Sequence, residues 1–449
     1  MTPMISLSMR RWREPLVIIA LAALAIALWP AFIASRGDTV EPLAGATAAP
    51  LPHDYEDRDA LIAFWEGAVR EHHTNDMLSP RELAGQYLQR YRERGDIDDV
   101  IRAQAMAQRS LAIMPRNIAA ISELAAVNLT LHRFRAALTY ADELQPYDPT
   151  AAPFLALRAN LLMELGEYRA AAATLRRIGP ADARNVAAET ARARYFELTG
   201  NLRGARALLA DAMSQADAHI DEPAQSRAWY HFRAGELAFN AGDVTAAIDD
   251  ERAALTIFPT YNLALKDLAK FELAEHHERE ALAAAVAGAQ VTPFAETLGY
   301  EADAQAALGD RRAAAITREE IFAIERLGNA YHVNDRLLAV YYADHHLRAN
   351  DALTIARREV GVRGDEIYAQ DTLAWAAAMA GRWAEARAAA QRATRLGTED
   401  PVLQYHAAII ALRTGHQAEG WARLRRALAL NPQFHPVYAD DARRRLAAR

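Results

Sequence analysis

The sequence predicts an all-α fold, a solenoid of stacked helical hairpins, and three observations carry that prediction. The composition suits helices better than sheets: 52% of residues are hydrophobic with alanine dominant, yet only 8% are aromatic. A small residue also recurs at a spacing near 34, at Ala103, Ala137, Ala171, Ala205, Ala247, Ala281, Ala314, Ala352, Ala386 and Gly420. Three further positions keep register with these markers. Twelve residues before them stand Ala125, Ala159, Ala193, Gly235, Ala269, Ala302, Ala374 and Ala408, with Tyr91 and Val340 as exceptions. Five before them stand Gly166, Gly200, Gly242, Gly309, Gly381 and Gly415, and twelve after them Pro115, Pro149, Pro259, Pro293 and Pro432. Random alanine richness does not hold four registers together over such a length.

Each position has a physical task. Two helices cross closely only where small side chains face each other, which the paired Ala and Gly positions provide. The glycine between them takes the left-handed conformation that ends the first helix. The proline cannot continue the second helix and so opens the next unit. One hairpin cannot bury its apolar stripe alone, so neighbours must stack. The step from Ala205 to Ala247 is the long one, and residues 213–223 are expected to form its extra loop.

A 34-residue helix–turn–helix unit with a small–Gly–small–Pro register resembles the tetratricopeptide repeat (TPR). Residues 233–259, "RAGELAFNAGDVTAAIDDERAALTIFP", are the clearest copy. The resemblance covers about ten units over residues 79–432 and implies a right-handed superhelix whose first helices line a concave groove. The third, fourth, seventh, eighth and ninth units lack the proline in register.

Caps are expected at both ends of the repeats. Ser79-Pro80-Arg81-Glu82 reads as a capping box with proline at the first helical position. Before it, a helix within residues 54–78 presents Leu61, Phe64, Trp65, Ala68 and Val69 on one face to cover the first repeat. After Pro432, residues 433–449 form a polar closing helix.

The amino-terminal segment reads differently. Leu16 to Ala34 is nearly all apolar, long enough on a helix to approach the ~30 Å bilayer core. Trp12 and Trp29 lie near its ends, and Arg10, Arg11 and Arg13 precede it. The expected layout is a short cytoplasmic segment (1–15), a signal-anchor helix (16–34) and a Pro/Ala tether (35–53). That places the protein as a single-pass protein in a bacterial inner membrane with its solenoid in the periplasm. Two alternatives remain: a cleaved signal with secretion to the periplasm, and a buried helix.

The composition excludes several chemistries. There is no cysteine, which removes disulfides, thiol nucleophiles and zinc–thiolate sites. A net charge of -7 argues against nucleic acid as a partner. No phosphate-cradling glycine loop, Gly-x-Ser-x-Gly or His-Glu-x-x-His occurs. Repeats and caps consume the chain, so no separate catalytic domain is expected, and no cofactor. The pairs His72-His73, His276-His277 and His345-His346 invite a metal reading, but adjacent helical residues point about 100° apart. Histidine near a helix end also complements its dipole, and His132 and His276 occupy the recurring glycine's register. The acidic Asp96-Ile97-Asp98-Asp99 fits a turn better than a calcium loop.

The inner face implied by the resemblance supplies the candidate site. Counting 15 and 11 residues back from each marker selects Phe232, Glu236, Lys266, Lys270, Gly299, Asp303, Leu337, Tyr341, Asp371, Trp375, Tyr405 and Ile409. Lys266 and Lys270 are the only lysines in the chain, and Trp229 and Phe239 stand near them. The candidate groove is thus Trp229, Phe232, Phe239, Lys266, Lys270, Tyr341, Asp371, Trp375 and Tyr405. It would hold an extended protein or peptide segment whose carboxylates meet the lysines. The opposing reading has the lysines solvated and paired with Asp267 or other local acids, and the aromatics packed between repeats. The expected function is a non-catalytic, membrane-anchored scaffold. The alternatives are an exported binder of a small molecule or metal ion, and an enzyme subunit whose partner brings the active site.

Overall fold

The computed structural model describes residues 57–71, 75–219, 221–328 and 335–448, and among them are 22 α-helices and no strand. Helix α1 (Arg58–Glu71) leads into ten hairpins. The first five pair α2 (Leu78–Arg94) with α3 (Ile97–Ile113), α4 (Ile118–Thr130) with α5 (Phe134–Leu144), α6 (Ala152–Glu164) with α7 (Tyr168–Leu175), α8 (Val186–Leu198) with α9 (Leu202–Ala218), and α10 (Ala224–Asn240) with α11 (Val244–Ile257). The second five pair α12 (Asn262–Ala274) with α13 (Glu278–Val291), α14 (Ala295–Ala307) with α15 (Arg311–Gly328), α16 (Asp335–Asp344) with α17 (Ala349–Arg363), α18 (Ile367–Met379) with α19 (Trp383–Ala393), and α20 (Pro401–Arg413) with α21 (Gln417–Leu430). Helix α22 (Tyr438–Ala447) closes the chain.

The register sets the packing. Every marker alanine from Ala103 to Ala386 is fully buried, and its partners twelve residues earlier are buried with it, apart from Tyr91 and Val340. The turn glycines all have positive φ, and His132 (φ 53°) and His276 (φ 61°) adopt the same conformation in their place. Each such turn is tied by a hydrogen bond reaching five residues back, as from Arg382 N–H to Ala377 O (2.8 Å) and Arg133 N–H to Asn128 O (2.8 Å). This satisfies carbonyls that the helix end leaves free. Even-numbered helices of most consecutive units pack on each other, as α6 on α8 and α16 on α18. They therefore form the inner wall of the curve.

Contacts far along the chain show that the curve returns on itself. Turns of early units meet the loops that join later ones. Tyr168 Oη accepts from Ile367 N–H (3.0 Å), Thr398 Oγ1 donates to Leu198 O (2.6 Å), and Asn431 Nδ2 donates to Phe239 O (2.6 Å). Arg363 pairs with Glu164 in the same way. These partners lie 192 to 200 residues apart, about six units of the 34-residue repeat. One superhelical turn therefore takes about six hairpins, and the next turn docks on it along a seam.

Several local expectations shift. Helix α2 begins at Leu78, capped by Asp76, whose carboxylate accepts from the Leu78 and Ser79 N–H groups. The Ser79 capping box is therefore not used. The long fourth step extends α9 and α10 to 17 residues each rather than opening a wide loop. In α1, Ile62 is buried while Phe64 is 63% exposed. Asp96 caps α3 through the Asp98 N–H, and Asp99 pairs with Arg90 (2.7 Å), which accounts for the acidic run.

The apolar run 16–34, the tether and His72-His73 lie outside the described residues. Among the described residues no helix is long and apolar enough to cross a membrane. The single-pass inner-membrane placement is corrected accordingly, since no spanning helix supports it.

Candidate interaction groove

The inner wall does not present its aromatics as a free surface. Phe232 packs edge-on to Tyr261 (5.8 Å between centroids), and Phe239 stacks on Phe271 (4.2 Å). Trp375 stacks on His406 (4.3 Å), and Tyr405 on Tyr438 of α22 (4.5 Å). Phe232, Phe239, Tyr341, Trp375 and Tyr405 are all buried. In tightly curved hairpins the inner helices converge, and flat rings fill the narrowing wedge between them.

Helix α22 closes the distal end of the wall. Tyr438 Oη donates to Asp344 Oδ1 (2.6 Å), and Trp375 Nε1 donates to the same carboxylate oxygen (2.8 Å). Tyr405 Oη donates to Asp441 Oδ2 (2.7 Å). Asp371 Oδ2 lies 2.9 Å from His406 Nδ1. Burial opposes a charge on His406, but Asp371, then Asp344 and Asp400, outweigh it and hold its pKa above the usual histidine value. Trp375, Tyr405 and Asp371 thus build the end of the solenoid. Tyr341 instead lines a cavity of about 140 Å³ with His345, Asp344 and residues 435–438. Nε2 of His345 lies 3.1 Å from Asp303, and His277 Nδ1 lies 2.8 Å from Glu272. No group of three or more potential metal ligands forms among the described residues.

The two lysines have different surroundings. Lys266 Nζ lies 2.9 Å from Asp267 and 3.6 Å from Glu296. Burial works against its charge, but Asp267, Glu296 and Glu236 hold its pKa above the usual lysine value. It is an internal counter-ion: the opposing reading named its partner Asp267 but placed the lysine in solvent, whereas its side chain is largely buried. Lys270 instead sits over the Phe239 ring (Nζ 5.3 Å from the centroid) and lines a cavity of about 210 Å³.

That cavity lies between the two superhelical turns. Helices α8, α10 and α12 supply Arg194, Glu197, Arg233, Glu236, Phe239 and Lys270, while the starts of α16, α18 and α20 supply Arg336, Tyr368, Asp400 and Val402. The Arg194 and Arg336 guanidinium groups both lie over the Tyr368 ring (5.5 and 5.8 Å). An adjoining cavity of about 330 Å³ shares Arg194, Glu197 and Arg233, and adds Trp229, Leu209, Leu237, Asn160 and Thr190. Trp229 and Lys270 therefore line two neighbouring cavities that have Arg194, Glu197 and Arg233 in common.

Extending the 11-residue stripe back to the third and fourth units would have found Asn160 and Arg194. Arg336, Tyr368 and Asp400 hold no common register position. They reach the cavity only because the superhelix closes on itself.

The fold is of the TPR type, a solenoid of about ten helical hairpins on a 34-residue register, and the resemblance read from the sequence holds at that level. No family model matches the chain, and no curated protein does. Among solved structures, the chain is similar to the APC/C hetero-tetramer Cut9-Hcn1, at 12% identity and a TM-score of 0.32, covering 87% of this chain and 96% of that one. It is also similar to a tetratricopeptide repeat protein from Parabacteroides merdae, at 15% identity and a TM-score of 0.38, covering 57% of this chain and 98% of that one.

Proposed function

We propose that the protein is a non-catalytic scaffold that holds an extended segment of a protein partner along its inner wall. The observation that carries this reading is the pair of adjoining cavities. They are lined mainly by inner helices, one side apolar around Trp229 and Leu237 with Leu209 of the outer helix α9, the other polar around Lys270 and Arg336. A concave, partly apolar channel with a few placed polar groups suits a ligand, and its division into two compartments suits a chain with unlike neighbouring side chains. Hairpins and end helices account for the described residues, and binding energy would come from enclosed apolar contact and charge complementarity.

Selection from a random linear-peptide library tests the reading. Peptides that bind the full chain should lose binding to the Asn160→Trp variant, whose indole fills the larger cavity, with helicity by circular dichroism unchanged. Peptides that bind this variant as well as the unaltered chain would place the binding surface elsewhere.

A further inference from the structure

Helix α22 does more than finish the stack. A helix with that task alone would lie on the last hairpin, α20 and α21. The first turn of α22 instead reaches three units. The Tyr438 ring stacks on Tyr405 of α20 and meets the Trp375 indole of α18 edge-on (5.7 Å), and its hydroxyl donates to Asp344 at the end of α16. The chain thus turns back into the concave side. Only a narrow face of α22 meets the wall: Tyr438, Ala439 and Ala442 are buried, and Leu446 is partly buried. The opposite side is polar, and its ion pairs run along the helix itself, Arg443 with Asp440 and both Arg444 and Arg445 with Asp441. A helix of ten residues does not hold by itself in water, so these few contacts keep it in place. The fixed point before it is Phe434, fully buried against Tyr405 (5.8 Å), whereas Val437 next to the helix is 56% exposed. Residues 435–438 also wall the 140 Å³ cavity over Tyr341 and His345, so lifting them would open that cavity onto Trp375 and Tyr405.

We propose that α22 is the built-in occupant of a second binding surface, the distal inner wall of α16, α18 and α20. A helix of a separate partner protein displaces it, presenting a tyrosine, a small residue and an aliphatic residue at i, i+4 and i+8. This surface is distinct from the cavities at the seam and does not rest on their reading. A helix seated in a groove shows what the groove accepts. Stacking on Tyr405 calls for a ring, the Asp344 carboxylate for a hydroxyl donor on it, and the close approach at Ala442 for a small side chain. A second copy of the chain would bring the same helix without a tether. The short link from Phe434 holds the chain's own helix at an effective concentration on the order of millimolar, so only a segment with further contacts of its own displaces it. The wall is then available in the fraction of molecules whose α22 has opened, and apparent affinity falls by that fraction.

A fluorescent peptide of residues 436–449 stands in for the partner helix and is titrated into the full chain. Tyr438→Ala in the full chain removes the ring and hydroxyl that hold α22. That variant should bind the peptide about tenfold or more tightly than the unaltered chain does. The same peptide with Tyr438→Phe should bind the variant severalfold more weakly, and with Ala442→Leu about tenfold more weakly. Amide exchange on the unaltered chain gives a reading that needs no variant: α22 should exchange well before α18 and α20. A common exchange rate for the three helices makes α22 part of the core and overturns the proposal. Equal affinity of the unaltered chain and the Tyr438→Ala chain shows that α22 does not compete, and overturns it too. Equal binding of the Tyr438→Phe peptide overturns tyrosine as the recognised residue. Self-association of the unaltered chain in the same concentration range makes a second copy the occupant and overturns the separate partner.

Discussion

Gly166 and Gly381 occupy the same register position and both have positive φ, yet their surroundings differ. A Cβ on Gly166 would lie under 3.0 Å from the Asp365–Glu366 backbone, whereas one on Gly381 would meet nothing. Gly381→Ala should therefore cost about 1–2 kcal/mol from conformation alone. Gly166→Ala should cost clearly more, by a further ~1–3 kcal/mol of overpacking, as urea denaturation would show. The lysines should separate as sharply. Lys266→Met leaves Asp267 and Glu296 uncompensated and should destabilise by roughly 3–5 kcal/mol, while Lys270→Met should leave stability nearly unchanged. Glu251 is a third special residue, fully buried with neither carboxylate oxygen bonded. Burial, then Asp267 and Glu236, push its pKa well above the usual range. A carboxyl that stays protonated in the fold stabilises less as pH rises above its unfolded value near 4.5. His406, held above 6.5, likewise loses its contribution as pH rises through its folded pKa. Stability should thus fall on going from pH 5 to pH 8. Glu251→Met should flatten the part of the slope that begins near 4.5, and Asp371→Asn the part above 6.5, both read from urea midpoints.

At the scale of the helix pair, the crossing residues decide stability. Ala386 is fully buried between α18 and α19, whereas Ala388 is exposed on the outer helix. Ala386→Leu should lower stability by ~1–3 kcal/mol through overpacking, and Ala388→Leu should leave the thermal midpoint nearly unmoved. The hairpins were legible because their geometry depends on one small residue per helix and one left-handed turn, and those leave residue-type signatures at fixed spacing. His132 and His276 were legible too, because only the backbone conformation matters there. The start of α2 was not, since Asp76 lies just outside the box that the Ser79 pattern suggested. The aromatic stripe was legible in position but not in exposure: spacing places Trp375 and Tyr405 on the inner wall, while curvature decides that they are covered. Lys266 and Lys270 share a stripe, and only the third dimension separates an internal counter-ion from a cation laid over the Phe239 ring.

Across the whole molecule, the seam is what repeat logic alone does not foresee. Register describes how each unit meets the next, and says nothing of a unit six places on. Its trace was nevertheless present in the departures. The eighth and ninth units lack the register proline and carry Gly364 and Thr398 there instead. Gly364 comes close to Leu165 O, and Thr398 donates to Leu198 O. Positions that broke the pattern are contacts to the other turn. An open solenoid unfolds as a row of neighbours, and its ends fray first. Here the third to fifth units are also held by residues 363–431. Truncation after residue 334 should therefore loosen units it does not adjoin, seen as faster amide exchange in α6, α8 and α10, while α2 and α3 change little.

The seam also bears on how such a chain can grow. A solenoid with open flanks lengthens by duplicating a hairpin, because each copy meets only its neighbours. In this protein, a hairpin inserted between Gly166 and Asp365 would move every later partner along by one place. Thr398 would no longer face Leu198, nor Asn431 face Phe239. The number of hairpins between those points is thus tied to the pitch of the superhelix, much as the teeth of a gear are tied to its circumference. Variation is free at the surface and in the loops, but the count itself is part of the structure.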